Sequence, residues 1–191
     1  MRGKLVVIDG IDGSGKATQV KLLATKLKQL KIKFKTIDRY ESSQQIKLWL
    51  KQGYIVIADR YASANQIHQG GKIVDPKRRK VFLAWLDEME YSVFQIPRPD
   101  LVVYLDVPFE VSKVWLQKKV LARKKKYLKG RKDVAEDNLI HLKNSRASAL
   151  SLVRQNKNWV RIECCKGKVC LSPKEVSKQI LQVVIKKVVP R

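Results

Sequence analysis

The feature that most constrains this chain is Gly10-Ile-Asp-Gly-Ser-Gly15-Lys16, set between a β-branched run and an amphipathic stretch. The run, Lys4–Ile8, passes into Asp9-Gly10 and suits a buried parallel strand. After the loop, Val20, Leu23, Leu27 and Leu30 recur at helical spacing over residues 17–31, one apolar stripe with lysines opposite. Strand, glycine-rich loop and helix in this order let successive backbone N–H groups wrap an anion. The helix N-terminus adds its partial positive charge. Residues Gly10, Ile11, Asp12, Gly13, Ser14, Gly15, Lys16, Ala17 and Thr18 are therefore expected around a nucleotide's phosphates, with Lys16 reaching the β- and γ-phosphates. One position departs from the pattern. Ala17 stands where such loops carry a Ser or Thr hydroxyl that helps hold Mg²⁺, leaving Thr18 to act through water.

The rest of the chain alternates in the same way. Ile32–Ile37, Tyr54–Ala58, Leu101–Leu105 and Trp159–Glu163 read as further strands. Helices are expected over residues 44–51, from Asp75-Pro76 through Met89, from Pro108, over 134–153, and from the capping box Ser172-Pro-Lys-Glu175. Residues 118–132, rich in Lys and Arg with little apolar pattern, read as a mobile basic segment. The expected fold is an α/β domain over residues 1–191, with a five-stranded parallel sheet, helices on both faces and a short basic lid at about 120–133. Ligands should gather at the carboxyl ends of the strands. Two more strands end in the same tripeptide, Asp38-Arg39-Tyr40 and Asp59-Arg60-Tyr61. Both arginine forks then arrive beside the loop, where they suit a second phosphate. Asp59 is placed to orient hydrated Mg²⁺.

Composition narrows the class. No apolar run approaches the ~20 residues needed to span a bilayer. Met1-Arg2-Gly3-Lys4 has no signal-peptide layout, so a cytoplasmic location without membrane contact is expected. Cys164, Cys165 and Cys170 lack a second cluster that would complete a four-ligand metal site and read as reduced thiols. Lys and Arg number 41 against 17 Asp and Glu, a net charge of +24 that draws anions. The lysines are spread over most helices, so they read as solvated faces in preference to a nucleic-acid surface, which stays open as an alternative.

Three blocks together carry a family resemblance: Asp9-Gly-Ile-Asp-Gly-Ser-Gly-Lys-Ala-Thr-Gln19; Asp59-Arg-Tyr-Ala-Ser-Ala-Asn-Gln66 with His68-Gln-Gly-Gly71; and Pro99-Asp-Leu-Val-Val-Tyr-Leu-Asp-Val-Pro108. In this order they resemble the thymidylate kinases, P-loop enzymes that pass the γ-phosphoryl group of ATP to dTMP. The resemblance implies Mg²⁺ as cofactor, ATP and dTMP as ligands, and a homodimer. It further implies that Asp12 meets the acceptor sugar's 3′-hydroxyl and that Arg60, with Arg39 beside it, holds the acceptor phosphate. Asn65 and Gln66 would lie along the nucleoside and His68 near its sugar. Arg123 or Arg131 in the basic segment would supply the catalytic lid arginine.

The resemblance has a gap. Members usually carry a longer segment after strand two, with an aromatic that stacks on thymine and an arginine that reads its carbonyl. Here only Glu41–Gly53 is available, and nothing in it matches either group. Phosphate transfer is thus better specified than base selection, and a preference for dTMP over dCMP or dGMP of only about tenfold is expected. Two rivals follow: a looser monophosphate kinase, and a non-catalytic nucleotide-binding protein that uses its basic surface.

Overall fold

In the computed structural model, which describes residues 2–37, 43–124, 134–167 and 169–189 (backbone only at 119–124 and 134–138), the first β-branched run becomes the central strand of a five-stranded sheet. The strands are β1 (Lys4–Asp9), β2 (Phe34–Ile37), β3 (Ile55–Asp59), β4 (Leu101–Asp106) and β5 (Trp159–Glu163). Their order across the sheet is β2-β3-β1-β4-β5 and every pairing is parallel. The register sets Ile8 opposite Asp59 and Asp9 opposite Tyr104, so β1, β3 and β4 end at one edge.

Strand periodicity divides the core in two. Val6, Ile8, Ile57 and Val103 face one way, packing with Leu23 and Leu27 of α1 (Lys16–Gln29) and Ile180 and Val184 of α7 (Pro173–Lys187). Leu5, Val7, Val56 and Tyr104 face the other, against Ile46 and Leu50 of α2 (Ser43–Lys51), Ile67 of α3 (Ala62–Lys72) and Leu152 of α6 (Val134–Gln155). β1 is buried on both faces, which is why it reads as a continuous apolar run.

Local signals hold at several ends. The side chain of Asp75 accepts from the backbone N–H of Lys77 at 2.7 Å and starts α4 (Pro76–Asp87). Ser172 and Glu175 form both bonds of the capping box before α7. Three expectations are corrected. The helix α5 (Phe109–Lys124) continues into the segment read as mobile; residues 125–133, the rest of the expected lid, lie outside the described residues. The helix from Asp75 does not run on unchanged, since Glu88–Val93 forms a π-helical turn. Cys165 and Cys170 are not reduced thiols. They face each other across the short hairpin of β6 (Cys165–Lys166) and β7 (Val169–Cys170) and are joined by a disulfide. Cys164 stays a free thiol, pushed up to about 12 by burial and then by Asp106.

Helix α3 is absent from the sequence reading. Its apolar stripe is thin, and it docks on α6 through small residues instead. A Cβ on Gly71 would lie 2.9 Å from the backbone of Ser145, and one on Gly70 3.1 Å from Ser148 Oγ. This close approach positions the acceptor-side residues.

Candidate active site

At the carboxyl end of β1 the chain turns through Gly13 (φ 83°) and Gly15 (φ 88°), left-handed conformations that favour glycine. A Cβ at Gly13 would also meet the Ser112 carbonyl at 2.9 Å. α1 starts at Lys16, so its free N–H groups open into the loop. Lys16 is 7% exposed, and its Nζ donates to the Gly10 carbonyl at 2.7 Å and the Ile11 carbonyl at 2.9 Å. Burial, then the charge of Arg60, lowers its pKa to about 8, against the opposing pull of Asp9, Asp12 and Asp59. Lys16 therefore remains mostly a cation at neutral pH, one that a phosphate would stabilise.

Arg60 follows β3 with φ 69°, a sparsely populated conformation for a side-chain-bearing residue. Its backbone N–H donates to the Ile8 carbonyl at 3.2 Å, which ties the strained turn to β1. The guanidinium Nη2 donates to Asp12 Oδ1. Burial pushes Asp12 up, but Arg60 and Lys16 outweigh it and hold the carboxyl below its usual range. Ser112 Oγ donates to the Asp12 carbonyl, fixing the loop from α5.

One buried carboxylate went unassigned in the sequence. Asp9 is fully buried at the end of β1, where Oδ1 accepts from the Gly10 N–H at 2.8 Å and Oδ2 from Ser63 Oγ at 2.6 Å. Desolvation raises its pKa. It locks the phosphate loop to the start of α3.

Three cavities surround this centre. One of about 520 Å³ is lined by the loop residues Asp12, Gly13, Gly15, Lys16, Ala17 and Thr18 with Asp59, Arg60, Trp115 and Leu116. A slot of about 210 Å³ adjoins it through Gly15, Thr18 and Trp115 and runs against Leu171, Pro173 and Val176. The third, about 540 Å³, shares Asp12 and Arg60 with the first and extends past Asn65, His68, Gln69 and His141 to Ile37, Ile46, Glu90 and Ile96. Two chambers thus meet at the Asp12–Arg60 pair.

The expected site residues divide accordingly. Gly10 through Thr18, Asp59 and Arg60 come together around the loop, and Asn65 and His68 line the third chamber. Gln66 does not line that chamber: its carbonyl accepts from Ser148 Oγ at 3.1 Å, and Gln69, one turn on, takes its place. Arg39 and Arg131 lie outside the described residues, and Arg123 is described only as part of the α5 backbone. Trp49 packs beside the second core cluster with the Lys35 ammonium 5.6 Å from its ring centroid, away from the chamber.

His68 and His141 stack with ring centroids 5.5 Å apart. His68 Nε2 is buried without a hydrogen-bond partner among the described residues. Burial, and next the Arg60 charge, lowers the His68 pKa to about 4. Nothing in the sequence pairs these residues, which are 73 positions apart on α3 and α6.

For a metal ion, no group of three or more His, Cys, Asp or Glu is arranged as a self-sufficient site among the described residues. Thr18 and Asp59 line the loop cavity with Lys16. That donor set fits Mg²⁺ carried on nucleotide phosphates, which retains several waters and takes few protein ligands.

Comparison with known proteins agrees with this geometry. The family model described as thymidylate kinase matches residues 33–174. A probable thymidylate kinase of Pyrococcus abyssi is 33% identical over 151 residues, 59% of this chain and 69% of that protein. The thymidylate kinase of Fervidobacterium nodosum is 29% identical over 192 residues, covering 83% and 89%. Among solved structures, a thymidylate kinase from Candida albicans, described as having broad substrate specificity and a novel structural element, superposes with a TM-score of 0.63. It is 20% identical, with 97% of this chain and 92% of that chain covered, a likeness of fold.

Proposed function

This chain belongs to the thymidylate kinase family, and from that premise we propose that it transfers the γ-phosphoryl group of ATP to dTMP, giving ADP and dTDP. The observation that carries the reading is the junction of two chambers at Asp12 and Arg60, one floored by the phosphate loop and one open to a nucleoside. ATP takes the loop chamber, with its base in the adjoining slot under Trp115 and Leu171. The dTMP phosphate lies at the shared wall against Arg60. Both phosphates then approach the transfer point from opposite sides.

Such transfer asks for positioning and charge neutralisation, with little covalent chemistry from the protein. Lys16 and the α1 N-terminus stabilise negative charge on the transferring group. Arg60 holds the acceptor phosphate, and Asp12, anchored by the same guanidinium, meets the sugar hydroxyl. Arg123 and Arg131 are the proposed lid cations. Mg²⁺ would be held by Thr18 and Asp59 through water and would neutralise phosphate charge when bound.

We place the enzyme in the cytoplasm, where its two phosphorylated substrates occur, as one catalytic domain forming a homodimer. Support for the dimer comes from Val81 and Trp85 of α4 and Phe94 after the π-turn, which are 71%, 54% and 60% exposed, an apolar surface that pairing would cover.

Coupled detection of ADP over a panel of nucleoside monophosphates tests the activity. ADP release that depends on dTMP is expected, with other acceptors slower. Release at the same rate with and without any monophosphate would reject it.

A further inference from the structure

The Cys165–Cys170 disulfide closes the β6–β7 hairpin at its base. One residue outside it on either side, Cys164 and Leu171 line the slot of about 210 Å³ assigned to the base of ATP. The Leu171 N–H donates to the Cys164 carbonyl at 2.9 Å, and the Cys164 N–H donates at 3.0 Å to the carbonyl of Asp106, the last residue of β4. The disulfide therefore stands directly behind the slot wall, next to the bond that holds Leu171. The far side of the slot has its own anchor, since Gln19 Nε2 of α1 donates to the Pro173 carbonyl at 3.0 Å.

Little else holds the hairpin together. Its ladder has two residue pairs, Cys165 with Cys170 and Lys166 with Val169, and Val169 is 79% exposed. A two-stranded ladder this short is marginal in water, so the cross-link is its main restraint. In the cytoplasm proposed for this enzyme, disulfides are usually transient and redox-sensing.

We propose that the Cys165–Cys170 disulfide is a redox latch on the ATP-base slot. Closed, it holds Leu171 in the slot wall; reduction by a dithiol frees the hairpin and weakens ATP binding. The inference rests on the base of ATP occupying this slot and names how that affinity is regulated. Cys165 is buried and Cys170 half-buried, so the dithiol's thiolate attacks Cys170 Sγ. The exposed Lys166 beside the pair favours the approach of that thiolate. As the new S–S bond forms, the old one breaks, and Cys165 leaves as a thiolate and is protonated. The dithiol's second thiolate then displaces Cys170, which is protonated in turn, and the dithiol departs as a disulfide. Two electrons and two protons pass to the cysteine pair. Cys164 takes no part, because burial holds its thiol protonated. No hairpin residue lines the acceptor chamber, so dTMP binding should not follow the redox state.

Calorimetry on the whole protein, equilibrated in reduced or oxidised dithiothreitol, compares ATP, inorganic tripolyphosphate and dTMP. ATP should bind at least about fivefold more weakly to the reduced form, the lower end of usual couplings between sites. Tripolyphosphate, which carries no base, and dTMP should bind both forms alike. By reciprocity, saturating ATP should shift the dithiothreitol equilibrium toward the disulfide by the same factor. Cys170→Ser should bind ATP as the reduced form does and ignore the reductant. Equal ATP affinity in the two forms, or a redox equilibrium that ATP does not move, overturns the proposal. A loss shared by tripolyphosphate or dTMP overturns it too, because the change would then reach the phosphate loop or the whole fold. If ATP affinity follows the redox state while no dTMP-dependent ADP forms, the latch stands and the kinase assignment falls.

Discussion

At the scale of single residues, the chemistry converges on Arg60, which joins the two chambers through Asp12. Arg60→Ala should raise KM for dTMP, lower kcat, or both, with ATP affinity nearly unchanged. The two sites are reversed if titration shows ATP binding lost and dTMP binding intact. His68 gives a pH signature. Its pKa of about 4 lies below the ordinary 6.5 because burial and Arg60 oppose its charge, with Asp12 pulling the other way and Lys16 and His141 adding to Arg60. Between pH 6.5 and 4 the unfolded chain therefore binds a proton that the folded chain refuses. Stability falls as pH drops through that window and levels off below it. Denaturant titrations at pH 7 and pH 5 should show His68→Gln removing on the order of 1 kcal/mol of this acid sensitivity, after allowance for solvent around the half-buried ring. An unchanged difference would mean the ring titrates normally. The loop residues Gly10–Thr18 were legible in sequence because a contiguous motif carries them. His141 and the buried role of Asp9 were not, because each depends on a neighbour distant in the chain, His68 for one and Ser63 for the other.

At the scale of elements, the five strands of the main sheet were legible to within two residues at either end, since β1, β3 and β4 are apolar runs buried on both faces and the edge strands β2 and β5 are short apolar-rich runs between helices. Helix α3 was not. Ala62-Ser-Ala-Asn-Gln-Ile-His-Gln-Gly-Gly has one large apolar residue, Ile67, and its fit to α6 depends on what is missing from the side chains. The π-turn after α4 gives no periodic signal, and the Cys165–Cys170 pairing depends on a two-residue hairpin. Packing of α3 on α6 predicts an effect away from the chemistry. Gly71→Ala forces a methyl group to 2.9 Å from the Ser145 backbone, which cannot rotate away. Overpacking of this kind costs about 1–3 kcal/mol. A lowered Tm together with a raised KM for dTMP is expected, because the shifted helix carries Asn65 and His68. An unchanged Tm would show that the two helices have room to separate.

At the scale of the molecule, the parallel sheet brings the ends of β1 and β3 to one edge, where the loop, Asp59 and Arg60 meet. Topology thus turns separate sequence blocks into one transfer site. The net charge of +24 suits a protein that handles two polyanionic substrates, with many lysines on outward helix faces. The most direct measurement follows the phosphoryl group itself. ATP labelled at the γ-phosphate is incubated with dTMP and Mg²⁺, and the products are separated. Label should appear as the β-phosphate of dTDP with ADP in equal amount, and Lys16→Ala, folded by circular dichroism, should form none. Label found only as inorganic phosphate, or dTDP formed equally well by the Lys16→Ala protein, would contradict the account.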